Sequence, residues 1–334
     1  MESTMGTQVS NIQKSNLIAF QSYLIENIAT AKKSVVSITI SKDIKFYVDS
    51  PSQINGPGTV QQQTASLWWW SGIIVSKKWY ILTNKHVVQD TTAKYSVVLY
   101  DGTVYNVDKI RFDDLLDLAI LKIVDTENKT PINLPTATFL PLGMPVEIGQ
   151  FALIIGNTLS KYPQSVTMGI IWGKNKQLRI NGNNLYVWLY QTDAQANPGN
   201  SWWPLLDING TTLWITTAIV EGEGLSFALP ITKEFIESTI TSLETFWTIA
   251  RPIIGIQYKE ITPAMQSEKK LSIDHGIYLT DVLTDFPAWE AGLKIWDIIV
   301  WINGNDIDMQ MPFLYQLYTH IPGETISLYV IRNT

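Results

Sequence analysis

Three polar residues, each beside an apolar run, have the types needed for nucleophilic catalysis. His86 follows the run YILT, Asp117 opens the run LAILKI, and Ser201 lies in a Gly-Asn-Ser turn between two apolar runs. A hydroxyl nucleophile, an imidazole base and a carboxylate that orients the base are the three parts of a catalytic triad. In the chain order His, Asp, Ser, these residues predict nucleophilic catalysis.

Each of the three residues also has an ordinary structural explanation. A single histidine is more often a structural residue, an aspartate at the start of a strand is more often simply solvated, and a serine in a turn usually serves the turn. Asp113 and Asp114 compete with Asp117 for the carboxylate role. The other two histidines lie in the C-terminal part of the chain, so the first three residues remain the most economical combination.

A mainly β architecture is predicted to position these residues. Between residues 33 and 230, short β-branched runs alternate with turn residues, which is typical of an all-β barrel or sandwich. The predicted strands are residues 35–40, 72–75, 80–83, 95–100, 118–124, 151–155, 166–171, 185–191 and 212–220. Asp101-Gly102 and Asn209-Gly210 predict hairpin turns. Residues 50–66, rich in Pro, Gly and Gln, predict a surface loop.

The chain of 334 residues is long enough for two domains. Residues 231–246 carry apolar side chains at helical spacing, which predicts an amphipathic helix that closes the first domain. After Arg251-Pro252 the chain returns to short strands, with one further helix predicted around residues 287–292. The predicted division is an N-terminal extension at 1–24, a first domain at 25–246 and a second at 247–334.

Composition excludes several classes of protein. A hydrophobic fraction of 46% with a charged fraction of 16% excludes a disordered chain. The chain has no cysteine, which removes disulfides, thiolate nucleophiles and cysteine-based metal sites. A net charge of −6 gives no electrostatic reason to expect a nucleic-acid partner.

The N-terminus carries no recognisable targeting signal. No run approaches the roughly 20 consecutive apolar residues of a membrane span. The polar start also lacks a basic segment followed by an apolar core, so no secretory signal is visible. These features fit a cytoplasmic protein, or a sequence without its export or anchoring segment.

Four segments together resemble one known family. TNKHVV, DLAILKI, QTDA followed by NPGNS, and PAWEAGLKIWDIIVWING are similar, in this order, to the HtrA (DegP-like) family of trypsin-fold serine endopeptidases with a C-terminal PDZ domain. The resemblance implies a chymotrypsin/trypsin-like double β-barrel at 25–246 and a PDZ domain at 247–334. It implies cleavage of unfolded or misfolded proteins without a metal or organic cofactor. It further implies a homotrimer, peptide C-termini bound in the PDZ groove, and an extracytoplasmic location.

The resemblance also implies roles for individual residues. Ser201 would be the nucleophile and His86 its general base. Asp117 would hold the imidazole, since it alone among the competing aspartates is followed by the family's LAILK run. The backbone N–H groups of Gly199 and Ser201 would form the oxyanion hole. A small apolar substrate cleft would be lined by Phe227, Ala228 and Leu229.

In the C-terminal domain, the segment RPIIGI resembles a PDZ carboxylate-binding loop and the strand after it. Backbone N–H groups in such a turn bind a C-terminal carboxylate, and the strand edge pairs with the peptide. The implied residues are Ile253, Ile254, Gly255 and Ile256; the alternative is a strand that merely follows a glycine turn. The sequence ends at SLYVIRNT, about one hairpin strand before the usual family end, so an incomplete PDZ sheet is expected.

Tryptophan is where the sequence departs from the family pattern. The chain has 13 Trp and 20 Gly, and GNSWWP stands where the family has GNSGGP. Other tryptophans, among them Trp79, Trp214 and Trp296, also stand where the family has glycine. Glycine and tryptophan share no physical role. We therefore hypothesise that most or all of the tryptophans are glycines, encoded by UGA codons that the cell reads as glycine.

Two other interpretations stay open. If the tryptophans are genuine, Trp202 and Trp203 would crowd the turn after Ser201, and the oxyanion hole would not form. The chain would then be a pseudoprotease that binds peptides through its PDZ domain. The remaining interpretation is a protease of narrow specificity that cuts one partner after a PDZ signal.

Overall fold

The computed structural model describes residues 2–48, 59–124, 133–156, 165–180, 184–195, 204–220, 225–308 and 311–332. Its helices are α1 (Glu2–Ala31), α2 (Lys233–Phe246), α3 (Pro263–Lys269), α4 (Pro287–Glu290) and α5 (Phe313–Leu317), with short 3-10 turns at Lys32–Ser34 and Lys85–Val87. Its strands are β1 (Val35–Val48), β2 (Thr59–Ser76), β3 (Tyr80–Thr83), β4 (Lys94–Val98), β5 (Val104–Phe112), β6 (Ala119–Val124), β7 (Phe151–Ile155), β8 (Val166–Ile180), β9 (Asn184–Thr192), β10 (Pro204–Leu206), β11 (Thr212–Val220), β12 (Leu225–Pro230), β13 (Ile256–Glu260), β14 (Ile277–Val282), β15 (Ile298–Ile302), β16 (Asn305–Asp306) and β17 (Leu328–Ile331).

The strands form two closed barrels and one open sheet. The first barrel has the strand order β1-β2-β3-β6-β5-β4, and the second has the order β10-β11-β12-β9-β8-β7. The open sheet has the order β13-β14-β15-β16, with β17 paired to β15. The predicted mainly β architecture, a double β-barrel followed by a smaller β domain, is confirmed.

Turn residues explain why several strands have the bounds that the sequence predicts. The predicted strands at 80–83, 151–155 and 212–220 coincide with β3, β7 and β11. Both hairpin turns are confirmed, since Gly102 and Gly210 have φ of +86° and +79°. Their N–H groups donate to the carbonyls of Leu99 and Asp207. A positive φ favours glycine, which has no Cβ to clash.

The strands β2 and β5 are among those that differ from the sequence-based prediction. The predicted surface loop at 50–66 is wrong for residues 59–66, which belong to β2; residues 49–58 lie outside the described part. The ladder between β2 and β1 includes Lys45↔Gln62 and Ile44↔Gln63. A glutamine-rich sequence is a weak indicator of a strand. The strand forms here because its backbone N–H and C=O groups pair with those of β1. The pattern also misses β5, because its side chains are exposed or half-buried throughout.

Helix α1 is a further difference, because the polar N-terminus does not predict a helix. It runs through residue 24, where the predicted N-terminal extension ends. Tyr23 donates its hydroxyl to Asn209 Oδ1 at 2.6 Å, and Asn27 Nδ2 donates to the Ile208 carbonyl at 3.1 Å. An apolar cluster joins its last turns to the barrel strands: Leu24, Ile28, Ala31, Val35, Leu153, Ile155 and Leu206. Tertiary packing therefore stabilises the helix.

The hydropathy of the described helices gives no membrane-spanning candidate. None of them is both long enough and apolar enough to cross a bilayer.

Two compact units divide the chain, and α2 belongs to the second of them. One unit comprises Met1–Phe139, Gly149–Trp172 and Gln191–Leu229; the other comprises Leu140–Ile148, Gly173–Tyr190 and Pro230–Thr334. The helix predicted at 231–246 is present as α2, but it belongs to the second unit and does not close the first. Its N-cap is Thr232, whose side chain accepts a hydrogen bond from the Phe235 N–H, as N-cap threonines commonly do.

Within the second unit, α2 and the end of α5 meet at one carbonyl group. The Tyr318 carbonyl accepts hydrogen bonds from Ser238 Oγ at 2.9 Å and from Arg251 Nη1 at 3.2 Å. The Arg251 guanidinium lies 4.2 Å from the centroid of the Phe235 ring, which in turn stacks on Tyr315. Arg251 is buried. Aromatic faces and the shared carbonyl therefore compensate for the desolvation of its charge.

An ion pair between a buried aspartate and an exposed arginine attaches the last strand to the open sheet. Asp297, which is 1% exposed, precedes β15, and Arg332 follows β17. Arg332 donates from Nε to Oδ1 and from Nη2 to Oδ2, each at 2.6 Å, which makes the pair bidentate. Burial raises the pKa of Asp297, but hydrogen bonds from Arg332 and from the Lys294 N–H outweigh burial and hold that pKa below its ordinary value.

We expect Asp297→Asn to destabilise the open sheet by about 1.5–3 kcal/mol at neutral pH, the usual contribution of hydrogen bonds to a charged group. Because the folded-state pKa is lowered, the contribution is present above the ordinary carboxyl pKa of about 4 and is lost as the pH falls below it. Hydrogen exchange in β14, β15 and β17 measures the effect. Glu290→Gln, at an exposed carboxylate, is the control. A difference between Asp297→Asn and the parent that persists unchanged in acid would contradict this explanation.

Candidate active site

Neighbouring strands of the first barrel carry His86 and Asp117. His86 lies in the 3-10 turn that follows β3, and Asp117 lies just before β6. β3 pairs with β6 at Thr83↔Ala119, so these two strand ends lie side by side. Although 31 residues separate them in sequence, His86 Nδ1 lies 2.7 Å from Asp117 Oδ2.

The Asp117 carboxylate accepts two further N–H groups. The backbone N–H of His86 donates to Oδ1 at 3.1 Å, and Asn84 Nδ2 donates to Oδ2 at 3.3 Å. The same Asn84 amide donates to the Asp117 carbonyl at 3.0 Å. Asn84 is fully buried. Asn84 is not among the residues predicted from the sequence. The sequence feature that points to it is its position in TNKH, where the extended backbone enters the 3-10 turn.

This geometry sets the chemistry of the imidazole. An ionised carboxylate only accepts hydrogen bonds, so Nδ1 carries the proton and Nε2 of the neutral ring is an acceptor. An imidazole in this tautomer can take a proton from a hydroxyl, and the carboxylate stabilises the imidazolium that results. The Trp70 ring packs edge-on against the imidazole, with 6.3 Å between centroids, and so restricts rotation of His86.

The competing carboxylates lie elsewhere. Asp113 is buried, and its Oδ1 accepts the backbone N–H groups of Leu115 and Leu116 at 2.9 and 3.0 Å. Asp113 therefore shapes the turn before β6. Asp114 is exposed. Of the three candidate aspartates, Asp117 is the one that contacts His86.

Ser201 and Gly199, the predicted nucleophile and oxyanion-hole residues, lie outside the described residues, as do Trp202 and Trp203. The chain before them is anchored to β8. Thr192 Oγ1 donates to the Ile170 carbonyl, and the Ile170 N–H donates to Asp193 Oδ1, both at 2.8 Å.

Gly169 permits this close approach of the two backbones. A Cβ at Gly169 would collide with the Ala194 backbone and with Asp193 Oδ1. The need for glycine at position 169 is not predicted from the sequence. The sequence feature that points to it is a glycine inside a strand pattern. The chain therefore enters the segment that carries Ser201 from a fixed position.

The predicted cleft residues lie on β12. Phe227, Ala228 and Leu229 are all buried. Their neighbour Ser226 donates its hydroxyl to the Ala194 carbonyl at 3.1 Å, which places β12 beside the chain that leads to Ser201. Their role in a substrate cleft stays a prediction.

The predicted peptide-binding residues of the second unit lie at the start of β13. Ile253 is exposed, and Gly255 is buried with a φ of +80°. The carbonyls of Ile254 and Gly255 accept hydrogen bonds from Ala288 and Leu283. β13 ends the described sheet order and has β14 as its partner there, so its far edge is available for a further strand.

Comparison with known proteins covers both parts of the chain. The family model of the trypsin-like peptidase domain matches residues 70–213, and that of the PDZ domain matches residues 252–334. A probable periplasmic serine endoprotease, DegP-like, of Chlamydia trachomatis is 34% identical over 270 residues, which is 79% of this chain and 51% of the relative. The chain has a trypsin-like peptidase domain followed by a PDZ domain, and the relatives that it matches are HtrA (DegP-like) proteins. The family predicted from the sequence is thereby confirmed.

Further HtrA proteins agree with this assignment. The serine protease Do-like HtrA of Bacillus subtilis is 30% identical over 280 residues, which is 79% of this chain and 60% of the relative. The solved structure of the HtrA-type protease AlgW with a decapeptide is 28% identical with a TM-score of 0.61, over 93% of this chain and 94% of that one. The chain spans about half the length of the curated relatives it matches.

We expect Asn84→Ala to lower kcat about tenfold without changing KM in a peptide-hydrolysis assay, because Asp117 loses a donor that helps to hold it. Thr83→Val is the matched control. It removes a neighbouring buried hydrogen bond, from Thr83 Oγ1 to the Ser71 carbonyl, that does not involve Asp117. An equal loss of kcat in both folded variants would contradict a positioning role for Asn84.

Proposed function

We propose that this chain is a serine endopeptidase of the HtrA type that cleaves unfolded or misfolded polypeptides. The observation that carries the proposal is the 2.7 Å contact between His86 Nδ1 and Asp117 Oδ2, in a barrel whose chain continues to Ser201. We infer a protease domain at 25–246 and a PDZ domain at 247–334. The matched family models lie inside these limits.

The proposed reaction proceeds through an acyl-enzyme. Ser201 Oγ attacks the peptide carbonyl while His86 Nε2 takes the hydroxyl proton, and Asp117 stabilises the imidazolium. The negative charge on the carbonyl oxygen is stabilised by the backbone N–H groups of Gly199 and Ser201. His86 then donates its proton to the leaving amine, and water hydrolyses the acyl-enzyme by the same steps. These steps need neither a metal nor an organic cofactor.

The substrate cleft is proposed to use β12. Phe227, Ala228 and Leu229 would provide a small apolar pocket for the side chain before the cleaved bond. The hydrogen bond from Ser226 to the Ala194 carbonyl supports this, since it joins β12 to the chain that precedes Ser201.

The PDZ domain is proposed to bind peptide C-termini along β13. The loop of Ile253, Ile254 and Gly255 would bind the carboxylate through backbone N–H groups, and the edge of β13 from Ile256 would pair with the peptide. Phe313 of α5 packs against Tyr258 of β13 with 5.3 Å between ring centroids, which supports a groove between strand and helix. The AlgW structure named above contains a decapeptide.

A homotrimer and an extracytoplasmic location are also proposed. Related HtrA proteins carry the word periplasmic in their names, which supports the location. Apolar side chains are exposed on α1 and on the neighbouring strands β7 and β8: Leu17, Ile18, Ile25, Phe151 and Met168. Exposed apolar surface commonly marks a protein–protein interface, and these side chains support association through the first unit.

We expect casein to be cleaved by this chain when residues 202 and 203 are glycine, and Ser201→Ala to abolish that cleavage. The chain with Trp202 and Trp203 is assayed in parallel. Equal, negligible cleavage by the chain and its Ser201→Ala variant, in both backgrounds, would indicate a pseudoprotease. Intact casein together with Ser201-dependent labelling by a fluorophosphonate would indicate a protease of narrow specificity instead.

We expect Gly255→Ala to weaken binding of a peptide with a free, apolar C-terminus at least tenfold, measured by calorimetry. A Cβ at Gly255 would collide with the Phe286 side chain, and φ there is +80°. Gly292→Ala is the matched control, because its φ of +78° is similar but a Cβ there meets nothing within 4 Å. Equal affinity in the two variants, or tight binding of the amidated peptide, would count against a carboxylate-binding loop.

A further inference from the structure

Four tryptophans of this chain lie in the left-handed region of the backbone. The φ angles are +65° at Trp79, +61° at Trp188, +61° at Trp247 and +77° at Trp296. The other described non-glycine residues with positive φ are Asn133, Asn175, Asn303, Asp285 and Lys270. Asparagine and aspartate tolerate this region, whereas a bulky side chain is an outlier there. Recurrence of the same bulky residue in this region has no ordinary conformational explanation.

The local structure at two of these positions is one that glycine normally occupies. Trp247 ends α2 as a left-handed cap, and its N–H donates to the Leu243 carbonyl at 3.0 Å, which is the usual glycine C-cap arrangement. Trp296 follows Lys294 in the tight turn before β15. Both tryptophan side chains are 72% exposed, so little burial of the indole offsets the unfavourable φ.

Trp79 combines a positive φ with an indole N–H group that is buried without a hydrogen-bond partner among the described residues. It ends the turn between β2 and β3, and its N–H donates to the Ser76 carbonyl at 3.1 Å. Its indole Nε1 is buried and has no hydrogen-bond partner among the described residues. A buried tryptophan N–H normally has a partner, and its absence carries a desolvation cost.

We propose that the residue inserted at these four positions in the living cell is glycine, because their codons are UGA and this codon is read as glycine. A codon reassignment acts at every such codon. It therefore applies equally to Trp202 and Trp203 after Ser201 if their codons are UGA. The identity of these residues does not depend on whether the chain is a protease.

Two tryptophans in strands, Trp214 and Trp301, provide a contrast, because their backbone does not require glycine. Trp214 in β11 and Trp301 in β15 lie in strands, have no positive φ, and glycine can adopt their backbone conformation. Trp301 stacks on Tyr329 with 5.6 Å between ring centroids, and its φ is not positive, in contrast to Trp247 and Trp296. This contrast provides a control position within the same chain.

The first test combines the gene with the natural protein. We expect UGA at codons 79, 188, 247 and 296, and peptides of the protein isolated from its natural source to have the mass of glycine at these positions. UGG at any of the four codons overturns the proposal. So does a peptide from the natural protein with the mass of tryptophan at one of them.

The second test asks whether the backbone itself selects glycine. In the recombinant chain, Trp247 and Trp296 are replaced together by glycine or together by alanine, and Tm is measured. Both replacements remove the indole, so the comparison isolates the effect of φ. We expect the Tm of the glycine variant to exceed that of the alanine variant by about 4 °C or more, the reverse of the order in regular structure.

The strand position controls for a general effect of glycine. Trp301→Gly should lower Tm below that of Trp301→Ala, because φ at this residue is not positive and glycine costs more backbone entropy. An alanine variant at 247 and 296 that is as stable as the glycine variant, or more stable, overturns the conformational basis of the proposal. Neither measurement uses proteolytic activity, so failure of the proposed function would leave these outcomes unchanged.

Discussion

The carboxylate of Asp117 holds the candidate site together. An ionised group at the end of a barrel needs donors, because desolvation without them costs several kcal/mol. The donors come from the short segment after β3, which supplies an imidazole, a backbone N–H and the buried amide of Asn84. The same hydrogen bonds that satisfy this partly buried carboxylate therefore orient His86. The contact between His86 and Asp117 therefore depends on the register between β3 and β6.

Much of the fold could be predicted because its signals are local. β3, β7 and β11 are apolar runs between turn residues, and glycine at 102 and 210 specifies hairpins through its backbone conformation alone. The prediction fails where stability comes from distant partners. Residues 59–66 form a strand because β1 pairs with them, and α1 is stabilised by packing against β7 and β10. Neither interaction leaves a mark in the local sequence.

The residues of the candidate site also differ in whether local sequence predicts them. His86 and Asp117 could be found from the sequence because each lies at the end of a recognisable apolar run. Asn84 and Gly169 could not, because one matters through a hydrogen bond to a residue far along the chain and the other through the side chain that it lacks. Positive φ angles carry the complementary information. They report which residues a position favours, and at Gly255 and Trp247 they favour the same one, glycine.

The shared carbonyl of Tyr318 bears on how such a chain could be rearranged in evolution. Ser238 of α2 and Arg251 of the following segment both donate to it, and Phe235 stacks on Tyr315. A recombination event that joined a new C-terminal domain at residue 247 would keep α2 but discard the partners of its buried face. An exchange of C-terminal domains that preserves these contacts would therefore have to include α2.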